Sequence, residues 1–395
     1  MSVRKRSWTG PKGVEKTAWV VDYADGGGTR RLKTFATKKA ADAFAALSRV
    51  EVDQGTHVPD SASITVSRAA EIWIKAVAVG RQGRAPAEAS TLRQYRSHID
   101  QHIAPAMGAV KLSKLTGPKV ADFRDHLLAT LSRAMAKKVL TSFKSIIREA
   151  QSKGHIVANP ASAVSIQSAG EGRHKTETEI PERAEVKAML AKLEELASQR
   201  NKQRGKAWRR YRVLIATAVH TGMRASELRG LYWNAVDLKA GTIKVEQRAD
   251  EKGKIGPPKS GAGRRTIKIP ASLVALLRLW KAECPPGPLT FPNWQGEAES
   301  LANIHTRAWK PLQIAAGAFT MDAEGHKTAK YRFHALRHFR ASMLIADGAN
   351  AKEVQADLGH ATVALTLDVY SHLFRDDDAE QQRRDRAERM ASTLL

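Results

Sequence analysis

Between Ser168 and Pro181 the chain reads SAGEGRHKTETEIP, a polar run without apolar periodicity and with two glycines. Such a stretch has no face to bury, so the segments before and after it must each build a core of their own. At 395 residues the chain is in any case too long for one ordinary core, and its 42% hydrophobic residues can fill two or three. Helical spacing of apolar residues dominates on both sides of the run, with extended segments short and few. The expected class is mainly α with small β elements, in several domains.

Charge narrows the partner. The sequence holds 65 Lys and Arg against 40 Asp and Glu, a formal net charge of +25, which favours a polyanion and above all nucleic acid. An anionic membrane surface would attract the same charge. No apolar run is long enough to span a bilayer, however, and no signal-peptide core stands near the N-terminus, so a cytosolic protein, nucleoid-associated when bound to DNA, is expected. With Cys284 as the single cysteine, an intrachain disulfide is impossible and a cysteine metal cluster is disfavoured. Its place before Pro285 and Pro286 reads as a loop thiol.

The first segment alternates Trp19, Val21 and Tyr23, turns at Gly26-Gly27-Gly28 and passes into a second extended run. This predicts a hairpin, followed from Lys38 by a helix with Ala40, Phe44 and Leu47 at helical spacing, closing near residue 60. Residues 61–166 read as a helical bundle. Ala69, Trp73, Ala76 and Val77 share one face, Leu92, Tyr95, Ile99 and Ile103 another, and Val120–Leu131 and Ala134–Ala150 continue the pattern. From residue 61 to 165 there are 16 Lys and Arg against 6 Asp and Glu. A linker over 167–181 leads to a second helical region, 182–380. There AGTIKVEQRADEKGKIGPPKSGAGRRTIKIP predicts a β-hairpin or a three-stranded edge sheet around a glycine- and lysine-rich turn. A charged tail, 381–395, ends the chain.

The chemistry concentrates in that second region. Arg224 stands in TGMRASELRGLYW, His334 and Arg337 in HALRHFRAS, His360 in LGHATVALT and Tyr370 in LDVYSHL. Two arginines and two histidines can surround a phosphate and neutralise the charge developing on its oxygens, while a tyrosine hydroxyl attacks its phosphorus. Glu227, three residues after Arg224, is expected to hold that arginine on one face of a helix beginning at Thr221 or Gly222. His334 and Arg337 are likewise three apart, on a helix whose other side is apolar. Leu358-Gly359 reads as a helix end and Thr362 as the cap of the next helix, with Tyr370 eight positions along. Lys259, at the tip or shoulder of the hairpin, can reach and protonate a leaving oxygen. Taken singly, each of these is an ordinary ion pair, cap or solvated lysine.

Taken together and in this order, they resemble the tyrosine recombinases, the phage integrase family of site-specific DNA recombinases. The resemblance covers residues from about 181 to 380 and is looser upstream, where the helical segment is similar to a core-binding domain and residues 1–60 to an arm-type DNA-binding module. It implies that Tyr370 attacks the scissile phosphate to give a 3′-phosphotyrosyl link and a free 5′-hydroxyl. Arg224 and Arg337 would hold the non-bridging oxygens, Lys259 would protonate the leaving oxygen, His334 would assist proton transfer at the tyrosine, and His360 would donate to the phosphate. Glu227 would orient the site. No cofactor is expected, neither ATP nor metal. The partners implied are double-stranded DNA at core and arm-type sites, three further copies in a homotetramer whose C-terminal tails pack on neighbours, and a DNA-bending protein or excisionase. Arg93, Arg96, Lys137, Lys138 and Lys144 of the bundle, and Arg30 and Arg31 of the first segment, are candidate DNA contacts. A type IB topoisomerase shares this chemistry. A non-catalytic DNA-binding regulator of the same fold, or a structural nucleoid protein, would use only the charge.

Overall fold

The computed structural model describes residues 1–9, 15–25, 27–53, 59–81, 83–167, 179–199, 202–374, 387–389 and 391–392. It divides into two units, residues 1–173 and 174–395. Most of the expected linker, residues 168–178, and most of the tail lie outside the described residues.

The first unit opens with a three-stranded antiparallel sheet in the order β1 (Ser2–Thr9), β2 (Glu15–Ala24), β3 (Arg30–Phe35), backed by α1 (Lys38–Asp53). The hairpin expected from the sequence is β2–β3, its turn closed by the Asp25 carboxylate accepting from Gly27 N and Thr29 N. The additional strand is β1, SVRKRSWT, which pairs with β2 along its whole length although it is almost wholly exposed. An edge strand exposed on both faces needs no apolar alternation, which is why its sequence does not announce it. Val21, Tyr23 and Ala41 form the small core between sheet and helix. In α1 the buried residues are Ala41 and Ser48, whereas Leu47 is exposed, so the helix sits rotated from the expected face.

The bundle follows as α2 (Val66–Val79), α3 (Ala89–His98), α4 (Ala104–Met107), α5 (Gly117–Thr130) and α6 (Arg133–Ser152), with a π-helical turn, Ile99–Ile103, joining α3 to α4. The apolar faces read from spacing meet here: Trp73, Ile99, Ile103, Val120, Phe143 and Ile147 are all buried in one core. Thr65 caps α2 by accepting from Arg68 N, and Ser132 caps α6 by accepting from Met135 N. Trp73 Nε1 donates to Ser145 Oγ at 3.1 Å, giving the indole's one polar atom a partner inside the bundle.

In the second unit α7 (Arg183–Ala197) and α8 (Lys202–Thr221) pack together, and α8 also meets α10 (Ala271–Glu283) and α13 (Ala335–Ala346). Between α8 and α10 lie α9 (Ala225–Arg229), β4 (Val236–Asp237), β5 (Thr242–Val245), β6 (Arg248–Ala249), β7 (Ile255–Gly256) and β8 (Arg265–Lys268). The edge sheet is three-stranded, β4-β5-β8, with β6–β7 a separate two-stranded ribbon. Beyond α10 come α11 (Leu301–Asn303), α12 (Lys310–Ala315) and a hairpin, β9 (Phe319–Met321) and β10 (Lys327–Ala329), that sequence reading missed. Its strands are three residues each, too short to show a period. Then follow α14 (Ala351–Leu358) and α15 (Val363–Tyr370). Cys284 follows α10 as its C-cap, at the start of a loop as expected, and packs partly buried against the main core. Among the described residues no helix is long and apolar enough to cross a membrane.

Candidate active site

The turn that ends α8 differs from expectation. No helix begins at Thr221 or Gly222: α8 stops there, Gly222 takes φ +60°, and Arg224 sits in extended conformation as the N-cap of the short α9. A side chain at Gly222 would meet Arg340 Cγ and Leu358 Cδ2 at 2.9 Å, so both conformation and packing demand glycine. Arg224 and Glu227 still meet, through the cap. The Glu227 carboxylate accepts from Arg224 N at 3.0 Å and from Arg224 Nη1 at 2.7 Å. Arg224 Nη2 donates to Gly359 O at 3.2 Å, which carries the arginine to the loop before His360.

Glu227 has a second partner that the sequence reading did not single out. In β8, Arg265, Ile267 and Ile269 alternate with Thr266 and Lys268, so Arg265 falls on the strand's inward face. Its Nη2 donates to Glu227 Oε2 at 3.0 Å, Nε to Asp357 O at 2.7 Å, and Nη1 to Gly263 O at 3.0 Å. A charged residue at an inward position of an otherwise apolar strand was the available signal. Burial by itself would raise the Glu227 pKa, but Arg265 and then Arg224 overcome it and hold the carboxyl below its ordinary range.

On α13, Arg337 is buried and spans two loops, with Nη1 donating to Gly222 O at 2.9 Å and Nη2 to Leu358 O at 2.5 Å. It therefore binds the turn before Arg224 to the turn before His360. A guanidinium has five N–H donors, so three remain for another acceptor. Burial, then Arg224, lowers its pKa to about 9, which leaves it charged at neutral pH.

The α14–α15 connection follows the reading of its capping residues. Gly359 ends α14 at φ +66° and Thr362 caps α15 by accepting from Leu365 N. His360 is buried, with Nδ1 2.8 Å from Thr366 Oγ1, and its ring lies nearly parallel to Tyr370, centroids 6.4 Å apart. Tyr370 closes α15, 1% exposed, and its hydroxyl stands 2.7 Å from Nδ1 of His338. His338 was not among the residues singled out. It lies one helical turn after His334, whose ring it meets edge-on at 4.9 Å. His334 itself caps α13 and is exposed by area, though densely surrounded. A Cβ at Gly359 would stand 2.7 Å from Ala262 O and 3.0 Å from Arg265 Cδ, so the loop after Lys259 packs against this turn. Lys259 is exposed, between β7 and a 3₁₀ turn at Gly261–Gly263.

Two expectations follow. Gly359→Ala forces a Cβ into left-handed backbone and into Ala262 O, and is expected to cost about 1–3 kcal/mol in urea unfolding. The second concerns acid. Burial first, then neighbouring histidine or arginine charge, lowers His334, His338 and His360 to about 4 each. The unfolded chain therefore binds more protons than the folded one between pH about 6.5 and about 4. Stability from these groups is complete above that window and is lost as pH falls through it. Thermal unfolding followed from pH 7.5 to 4.5 should show a falling Tm, less steep in His360→Gln.

Together these loops hold three guanidinium groups around one buried carboxylate, beside a tyrosine and three neutral imidazoles. Such a centre attracts an anion and offers it hydrogen-bond donors. Residues 182–376 match the phage integrase family. The chain belongs to that family, the tyrosine recombinases. It is 25% identical over 366 residues to a tyrosine recombinase XerC-like protein of Caldanaerobacter subterraneus subsp. tengcongensis, covering 85% of this chain and 86% of the relative. To the ICEBs1 integrase of Bacillus subtilis it is 24% identical over 295 residues, covering 71% and 73%. Among solved structures it is similar to the Tn1549 transposon integrase in complex with transposon right end DNA, with TM-score 0.62, 17% identity, and 82% and 99% of the two chains covered. It is also similar to a lambda integrase tetramer bound to a Holliday junction, with TM-score 0.55, 20% identity, and 90% and 95% covered. Those two likenesses establish the shared, multidomain, mainly helical fold. The family's function is site-specific DNA recombination.

For this recombinase the candidate DNA contacts sort by their present partners. Arg30 and Arg31 are adjacent in β3 and so face opposite sides of the sheet. Arg30 pairs with Asp22 on the outer face, where Arg4 joins the same carboxylate, while Arg31 pairs with Asp25 on the α1 side. Arg96 is engaged by Glu71. Lys144 donates to Ser162 O and Val164 O, at 3.0 and 2.9 Å, and serves to hold the segment after α6. Arg93, Lys137 and Lys138 are exposed.

Proposed function

We propose that this protein cuts and rejoins duplex DNA through a 3′-phosphotyrosyl intermediate on Tyr370, and in doing so integrates and excises a mobile element. The observation that carries the reading is the convergence on one centre of Arg224, Arg337, His360 and Tyr370, which lie on α8–α9, α13, the α14–α15 turn and α15. In this reading the free donors of Arg224 and Arg337 take the two non-bridging oxygens. Thr366's hydroxyl, donating to His360 Nδ1, leaves Nε2–H of His360 to donate to the phosphate. Lys259, on a loop packed against Gly359, protonates the leaving 5′ oxygen. The arginines supply in fixed form the positive charge that other phosphoryl transfers draw from a metal.

The similar lambda integrase, seen as a tetramer on a Holliday junction, supports a homotetramer acting on two duplexes. Residues 1–60 would then serve as the arm-type module, 61–166 as the core-binding domain and 182–380 as the catalytic domain, with DNA bending or excision proteins as accessory partners. Arg4 and Arg30 on the outer sheet face, and Arg93, Lys137 and Lys138 on the bundle, are the basic residues we assign to phosphates.

The test is strand exchange. Duplexes selected by the full chain from a randomised library supply two copies of its site on one supercoiled plasmid. A recombined product supports the reading; relaxation without exchange would make the protein a topoisomerase instead, and binding without either product a regulator.

A further inference from the structure

We propose that His338 is the base that receives the proton of Tyr370 as the tyrosine attacks phosphorus. The assignment rests on the strand-cleavage reading above and adds a residue to it. Nδ1 of His338 lies 2.7 Å from the tyrosine oxygen, with ring centroids 5.7 Å apart. The hydroxyl has one proton to give, and a neutral imidazole has one nitrogen that accepts, so the tautomer with hydrogen on Nε2 makes Nδ1 the acceptor. The role expected of His334 thus passes one helical turn along α13, to the histidine in contact with the reacting atom. His334 meets His338 edge-on and stands at the head of the same helix.

The position is rigid. His338 directly follows Arg337, whose bonds to Gly222 O and Leu358 O anchor α13 against both site loops. The groups that act on its charge are Arg337 and His334 of its own helix and Tyr370 of α15. Burial, then Arg337, keeps the ring neutral, which is the form that accepts a proton. Burial also pushes Tyr370 up to about 12, so roughly one molecule in 10⁵ carries a tyrosinate at pH 7 and attack needs a base in contact. A phosphate anion arriving beside His338 favours its protonated form and narrows the gap.

In the step itself the bond from Tyr370 Oη to phosphorus forms while the hydroxyl proton passes to His338 Nδ1. The bond from phosphorus to the 5′ oxygen breaks, and that oxygen takes its proton from Lys259. Rejoining reverses both transfers: the 5′-hydroxyl attacks, its proton returns to Lys259, and the proton on His338 goes back to the departing tyrosine oxygen.

The experiment compares two versions of one nicked duplex, carrying the library-selected site with its scissile position mapped by wild type. In one version the scissile bridging atom is oxygen; in the other it is sulfur, a leaving group that needs no proton. The variant is His338→Asn, whose side-chain amide keeps a hydrogen-bonding oxygen near the tyrosine but cannot take up its proton. Gel-shift affinity for the site, expected unchanged, reports its fold. We expect covalent complex formation to slow about 10²–10⁴-fold on both substrates in His338→Asn, the range of general-base contributions. Lys259→Ala is expected to be slow with oxygen and restored with sulfur. Wild-type rates in His338→Asn, or their recovery on the sulfur substrate, would overturn the assignment. Absence of a Tyr370-dependent complex from wild type on both substrates would sink the cleavage reading, and this residue's role with it.

Discussion

Tyr370→Phe is expected to bind its DNA site as wild type does and to form no covalent protein–DNA product. The ring is 1% exposed and packs with Ala341, Val354 and Leu358, and phenylalanine keeps those contacts. The only loss is the hydrogen bond to His338, worth about 1 kcal/mol, so the fold survives while the proposed attacking hydroxyl does not. The measurement is incubation of both proteins with a nicked site in EDTA, followed by a denaturing gel. A band in wild type that vanishes in the variant identifies Tyr370 as the linking residue. An equally strong band in Tyr370→Phe would move the nucleophile elsewhere and undo the proposed mechanism, since no other assigned side chain is placed to attack.

The second large effect is expected at Glu227. This carboxylate is 2% exposed, accepts from Arg224 and Arg265, and lies within electrostatic reach of Arg337. Glutamine preserves its size and one acceptor oxygen but removes the only negative charge we find placed among these guanidinium groups in the described residues. Removing one partner of a buried pair leaves the other charge uncompensated, so Glu227→Gln should cost about 3–5 kcal/mol in urea unfolding. It should also free Arg224 from its cap and lower cleavage. Arg337 shows the direction of the effect: Arg224 and Arg265 already depress its pKa, and Glu227 opposes them. Inorganic phosphate or bound DNA supplies negative charge at the same place, so either should stabilise the variant more than wild type. A loss below about 1 kcal/mol, with no added response to phosphate, would show that the arginines are already balanced by solvent.

How much of this was legible depended on range along the chain. The helices of the bundle, the capping glycine and threonine around His360, and the position of Tyr370 at the end of α15 all follow from residues within a turn or two of one another. Arg224, His334, Arg337, His360 and Tyr370 were read as a set, and the structure brings them onto loops and helices that contact one another. The failures have physical causes. The Arg224–Glu227 helix was a cap instead, because Gly222 in left-handed backbone stops α8. Arg265 was not singled out because a run of basic residues looks alike from either face until the strand's alternation is followed into Ile267 and Ile269. His338 carries no local mark, because the contact that distinguishes it, to Tyr370, lies 32 positions along the chain.

The sequence by itself determined that the chain is basic, mainly helical and divided by a polar run, and that one of its parts carries the residue types for attack on a phosphate. Those properties reside in composition and in periods of two to four residues. Tertiary structure alone decided which histidine meets Tyr370, since His338 and Tyr370 are brought together by the packing of α13 against the α14–α15 pair. It also decided that Glu227 answers to a second arginine, Arg265, and that Arg337 ties both site loops. Such contacts join residues 21 to 115 positions apart, where no local period reaches and only the burial of the intervening core sets the distance.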